Sequence, residues 1–74
     1  MITIKQIQEK LIEAIKLCGI SQTDLAKKLG IKQQTISHYL KGDIMPSLET
    51  FANLCAVLDI DPADILCIDD YNKD

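Results

Sequence analysis

The sequence contains no arginine; all eight of its basic residues are lysines. It also lacks tryptophan and carries one phenylalanine and two tyrosines. A core built without large rings must be aliphatic, which favours packed helices over a sheet rich in aromatic and β-branched residues. No apolar run reaches the roughly 18 residues that a membrane-crossing helix needs, and the N-terminus lacks the charged region plus apolar stretch of a signal peptide. The expectation is a cytoplasmic protein without membrane association.

Paired cysteines are missing too. Cys18, Cys55 and Cys67 are odd in number, match no C-x-x-C spacing and each fall within apolar residues, so they read as reduced core thiols. A metal site combining them with the only histidine, His38, would need four ligands to converge from separate helices without any local spacing signal. No metal or other cofactor is expected. Nor is there a carboxylate pair, a nucleophile with its base, or a phosphate-cradling loop, so the sequence does not read as an enzyme.

What is present is a chain of 74 residues with an apolar fraction of 47%, enough for one small packed domain spanning 1–74 and too short for two. The net charge of −3 conceals a segregation. Residues 1–45 carry a balance of +3, with seven lysines, and residues 46–74 a balance of −6. A basic face can attract phosphate while an acidic remainder limits non-specific adhesion.

Five helices are legible. Thr3 and Gln6 have the spacing of a reciprocal cap, followed by Ile4, Ile7, Leu11, Ile15 and Cys18 at three- and four-residue steps, with Gly19 as the stop. Ser21 caps a second helix with Asp24 in its first turn and Leu25, Ala26 and Leu29 as its buried stripe; Gly30 ends it. A third runs from about Lys32 to Lys41, with Ile36 and either Tyr39 or Leu40 inward and Gly42 as its stop. Ser47 starts a fourth, whose Leu48, Phe51, Leu54, Cys55 and Leu58 share one face. Asp61 and Pro62 open a short fifth, with Ile65 and Leu66 inward, so that helices four and five occupy about 47–67.

Within this series, residues 21–42 have the anatomy of helix, tight turn and helix. Ala26 is small where two helices approach, Gly30 suits a positive φ, and Ile36 is an apolar anchor for the second helix. If Ile36 is inward, Gln33, Gln34, Ser37 and His38 lie along the outward face. Their amides, hydroxyl and imidazole match the donors and acceptors of base edges in a major groove. Amides at the start of the second helix, near Gln22 and Thr23, suit an anion, with Lys32 and Lys41 as flanking cations. Lys27 and Lys28 are open between phosphate contact and plain solvation.

These motifs resemble the phage lambda repressor and Cro-like helix-turn-helix family. The likeness is carried by S-Q-x-x-L-A at Ser21–Ala26, the turn at Gly30 and Ile31, T-I-S at Thr35–Ser37, Gly42, P-S-L-E-T at Pro46–Thr50, Leu54, Leu58, and D-x-x-x-I-L at Asp61–Leu66. It implies an all-α, five-helix DNA-binding domain that regulates transcription, as a repressor, by binding double-stranded DNA as a homodimer on a palindromic site. It further implies base contacts from Gln33, Gln34 and His38, with Gln22 touching phosphate or bracing Gln33. Ser37 is added as a base reader; Thr23, Lys32, Thr35, Lys41 and Gly42 are expected to hold or brace phosphate.

The chain departs from the family at the start of the third helix, where Lys32 replaces a capping residue, and after Gly42, where Asp43, Ile44 and Met45 stand in place of basic residues. Without arginine, the bidentate Arg–guanine contact is unavailable, and a site rich in A·T is expected. Ile44, Met45, Ile68 and Tyr71 form either a dimer patch or a cover for the bottom of the core. An antitoxin-like regulator and a protein-interaction module that has lost DNA binding are the alternatives. No small-molecule ligand is expected.

Overall fold

The computed structural model describes residues 1–68, and among these it has the helices α1 (Ile4–Leu17), α2 (Gln22–Leu29), α3 (Gln33–Lys41), α4 (Leu48–Leu58) and α5 (Pro62–Ile65). Their starts follow local hydrogen-bond chemistry. At α1, Gln6 N–H donates to Thr3 Oγ1 at 3.2 Å while Thr3 N–H donates to Gln6 Oε1 at 2.8 Å, satisfying two groups that a bare helix end would leave open. Ser21, Ser47 and Asp61 cap α2, α4 and α5 by accepting from Asp24, Thr50 and Ala63 N–H. Lys32, the cap of α3, offers no side-chain acceptor. That helix start is held without a side-chain cap.

Three helices stop in the left-handed conformation, at Gly30 (φ 68°), Gly42 (φ 79°) and Asp59 (φ 54°). In each case the next residue also bonds back, with Ile31 N–H reaching Ala26 O at 3.0 Å, Asp43 N–H reaching His38 O at 3.0 Å, and Ile60 N–H reaching Cys55 O at 3.0 Å. Asp59 is the stop the sequence did not suggest; aspartate is among the few side chains that adopt this conformation readily.

The core draws on every helix: Leu11 and Ile15 from α1, Leu25 and Ala26 from α2, Ile36 and Tyr39 from α3, Leu54 from α4 and Ile65 from α5. Leu11, Leu25, Ile36 and Leu54 are essentially inaccessible to water, and truncating any of them to alanine costs about 2–5 kcal/mol. The second helix packs on α3 and α4, and α1 closes the bundle against α5 and α3. Tyr39 rather than Leu40 is the inward partner of Ile36. Burial pushes the Tyr39 phenol and the Cys55 thiol above their ordinary pKa, the latter helped by the negative charge of Asp61.

Two residues placed on buried stripes by periodicity lie outside. Ile4 is 65% exposed and Leu48 is 87% exposed. Each is the first residue of its helix, so it continues the stripe beyond the point where another helix stands opposite. Cys55 and Cys67 are buried; Cys18 is half-buried, its sulfur accepting from Ile20 N–H at 3.4 Å. Among the described residues no helix is long and apolar enough to cross a membrane.

Candidate nucleic-acid interface

The orientation of α3 is set by Ile36 and Tyr39, which are 0% and 4% exposed. With these two turned into the core, Gln33, Gln34 and His38 stand exposed and Thr35 and Ser37 are half-buried beside them. The outward row anticipated from spacing is therefore assembled. Gln33 and Gln34 occupy the first turn, and their carboxamides make no hydrogen bond among the described residues. Thr35 uses its backbone N–H on Lys32 O at 3.0 Å, which helps close the uncapped turn.

Gln22, the first residue of α2, meets α3 at Ser37. The Ser37 hydroxyl donates to Gln22 Oε1 at 3.1 Å. The expected brace from Gln22 to Gln33 is thus replaced by one that lies four residues further along the same face. With its hydrogen committed, Ser37 retains only lone pairs, while Gln22 retains its two amide hydrogens. Two neighbouring groups of opposite polarity result.

His38 has a partner of its own. Its Nδ1 lies 3.2 Å from Asp43 Oδ2, with both side chains about half exposed (50% and 55%). The contact exists because Gly42 turns the chain back on itself, which also brings Asp43 N–H to His38 O.

Gln8 completes the surroundings of α3, since its Nε2 donates to Gly42 O at 3.0 Å. Sequence reading missed this residue. A polar side chain three residues before Leu11 and seven before Ile15, on the buried stripe of α1, was the available signal.

The flanks differ in what they offer an anion. At the start of α2, Asp24 N–H is taken by Ser21 Oγ, whereas the amides of Gln22 and Thr23 precede the first intrahelical bond, Leu25 N–H to Ser21 O at 2.9 Å. They form the positive end of the helix dipole, partly offset by the Asp24 carboxylate in the same turn. At the end of α3 the amides of Gly42 and Asp43 are both spent on carbonyls of α3. Contrary to expectation, they are not free for a phosphate, and Lys41, fully on the surface side, is left as the donor there. Lys27, Lys28 and Lys32 are exposed as well.

Beyond α3, Ile44 is 45% and Ile68 40% exposed, while Met45 packs against the core. Tyr71 lies outside the described residues.

Comparison with known proteins agrees with this geometry. A family model described as helix-turn-helix matches residues 11–65. Three similar proteins are the HTH-type transcriptional regulators for conjugative element R391 of Providencia rettgeri, for SXT of Vibrio cholerae and for pMERPH of Shewanella putrefaciens. Each is 44% identical over 39 residues, which is 53% of this chain and 18% of the relative, so the likeness concerns a small part of those longer proteins. No solved structure matches the chain significantly. A five-helix bundle with its turn at Gly30, an outward row on α3, and a family match over residues 11–65 lead to one assignment: the chain belongs to the lambda repressor and Cro-like helix-turn-helix family of DNA-binding transcriptional regulators.

Proposed function

We propose that this protein is a sequence-specific repressor that inserts α3 into the major groove of an operator. The observation that carries the proposal is the outward row Gln33, Gln34, Ser37 and His38 on a helix whose inner face is fixed by Ile36 and Tyr39. Gln33 and Gln34 are exposed and make no side-chain hydrogen bond among the described residues, and a carboxamide both donates and accepts, which matches adenine N6 and N7. Gln22 and Thr23 hold a phosphate on one side, with Lys41 and Lys32 on the other and Thr35 and Gly42 bracing the helix between them.

The chain acts as a single domain and binds a palindrome as a homodimer, with the two copies of α3 about 34–36 Å apart. Ile44 and Ile68 supply exposed apolar surface for that contact; Met45, which packs against the core, and Tyr71, which lies outside the described residues, are the other positions the sequence offers for it. The relatives' names place comparable domains in regulators of conjugative elements, and a mobile-element operator is the corresponding target here.

Selection from random-sequence DNA at several salt concentrations tests the proposal. Affinity should fall steeply with salt, and the bound fraction should converge on an inverted repeat. Gln33→Ala should cost about 1–3 kcal/mol at one base position, whereas Lys41→Ala should weaken all sequences alike. Failure to enrich any sequence at low salt would favour a protein-interaction module, the reading that an acidic chain without arginine otherwise supports.

A further inference from the structure

We infer that Asp43 sets the hydrogen-bond polarity of His38, so that His38 selects a base bearing an exocyclic amino group, adenine or cytosine, and rejects guanine and thymine. The inference deepens the operator-reading role proposed above and rests on it.

The starting point is that the two residues are joined twice. Asp43 N–H donates to His38 O at 3.0 Å, and the carboxylate Oδ2 lies 3.2 Å from the ring Nδ1. The left-handed stop at Gly42 brings the Asp43 backbone against the end of α3, and from there its carboxylate reaches the ring as a side-chain contact. A carboxylate accepts hydrogen bonds and does not donate them. Its neighbour Nδ1 must therefore carry the hydrogen, and in the neutral ring Nε2 is then a bare lone pair. Nε2 sits on the far side of the ring from Asp43, on a side chain that is half exposed on the outward face of α3.

An acceptor in the major groove is satisfied by adenine N6 or cytosine N4. Facing guanine or thymine it meets only N7, O6 or O4, all of them acceptors, and two lone pairs are left opposed. One acceptor has no means of separating adenine from cytosine. The signature is thus specific: equal tolerance of A and C on one strand, with G and T excluded.

Two measurements test this, one without DNA. The protein has a single histidine, so nitrogen-15 correlation of its ring in the free protein is unambiguous. At alkaline pH, where a histidine is neutral, Nδ1 should give the protonated signal and Nε2 the unprotonated one. Asp43→Ala should remove that bias, and Asp43→Asn, whose carboxamide can accept or donate, should fall between. A protonated Nε2 in the unsubstituted protein overturns the inference.

The second measurement is operator selection at the same alkaline pH, where the ring is neutral and Nε2 carries no hydrogen. The base read by His38 is the one whose preference disappears in His38→Ala. There the unsubstituted protein should hold A and C within about two-fold of each other and disfavour G and T on the order of ten-fold. Asp43→Ala should shrink that gap to about three-fold or less, an effect that a merely structural role for Asp43 would not confine to one base position. Preference for G or T, or a gap unmoved by Asp43→Ala, overturns the inference. If no sequence is enriched, operator reading itself fails, and base selection by His38 with it; the ring measurement on the free protein distinguishes that outcome from a wrong tautomer.

Discussion

The side-chain amide of Gln8 in α1 donates to the backbone carbonyl of Gly42 at 3.0 Å, tying the first helix to the stop of the third. Carbonyls at the end of a helix have no partner within it, and this one is satisfied from a neighbouring element. The tilt of α3 is thereby referred to α1 as well as to the core.

Replacing Gln8 by alanine should cost about 1 kcal/mol of stability, the ordinary net value of a hydrogen bond lost from a partly buried carbonyl. Glutamate in its place should be worse, because a carboxylate cannot donate and would face the carbonyl oxygen. Urea denaturation of the two variants checks the order. If Gln8→Glu were as stable as the parent, the hydrogen bond would contribute nothing.

At Gly30 the turn between α2 and α3 needs φ 68°, yet a methyl group added there would meet nothing within 4 Å. The cost of Gly30→Ala is therefore purely that of the backbone conformation, about 1–2 kcal/mol. Gly30→Asn should recover part of it, since asparagine visits the left-handed region more readily. Thermal denaturation in which alanine and asparagine were equivalent would contradict a purely conformational origin.

Lys32 joins two demands at one position. As the cap of α3 it makes no side-chain hydrogen bond. Lys32→Ser should raise stability by about 0.5–1 kcal/mol by supplying the missing acceptor. The same change should lower DNA affinity and flatten its salt dependence by about one charge. Stability and affinity moving in the same direction would argue against Lys32 as a phosphate contact.

The raised pKa values of Tyr39 and Cys55 carry a sign for alkaline stability. Both groups are neutral when protonated, and burial keeps them so in the folded protein above their ordinary values of 10.0 and 9.0. The folded state then binds more protons than the unfolded chain, and this contribution is complete below the unfolded pKa and lost as pH rises past it. Denaturation midpoints should decline from about pH 9 upward. Cys55→Ala should remove the lower part of that decline, and an unchanged profile would exclude the thiol as its source.

Much of this architecture was legible because it is local. Thr3 with Gln6, Ser21 with Asp24 and Asp61 with Pro62 carry their helix starts in three or four residues, and Gly30 and Gly42 carry the stops. The outward row on α3 followed once Ile36 was taken as inward, since spacing fixes the rest. Periodicity made Ile4 and Leu48 part of buried stripes although both are exposed, because it describes a stripe and not how far along it the covering elements reach. It left Tyr39 and Leu40 undecided, as adjacent residues straddle the edge of that stripe. Contacts between elements were beyond it: Gln8 with Gly42 spans 34 residues and Ser37 with Gln22 spans 15. The family pattern placed the brace from Gln22 on Gln33, and the geometry of the crossing moved it to Ser37.

The two glycine stops that bracket α3 fix something else, its length. Nine residues at a rise of 1.5 Å extend about 13 Å, the distance covered by roughly four stacked base pairs. A word that short recurs by chance every few hundred base pairs in any genome, where the ratio of right to wrong sites governs occupancy. On the reading proposed above, an operator is therefore addressed by two such words at a set spacing, one from each copy of the homodimer.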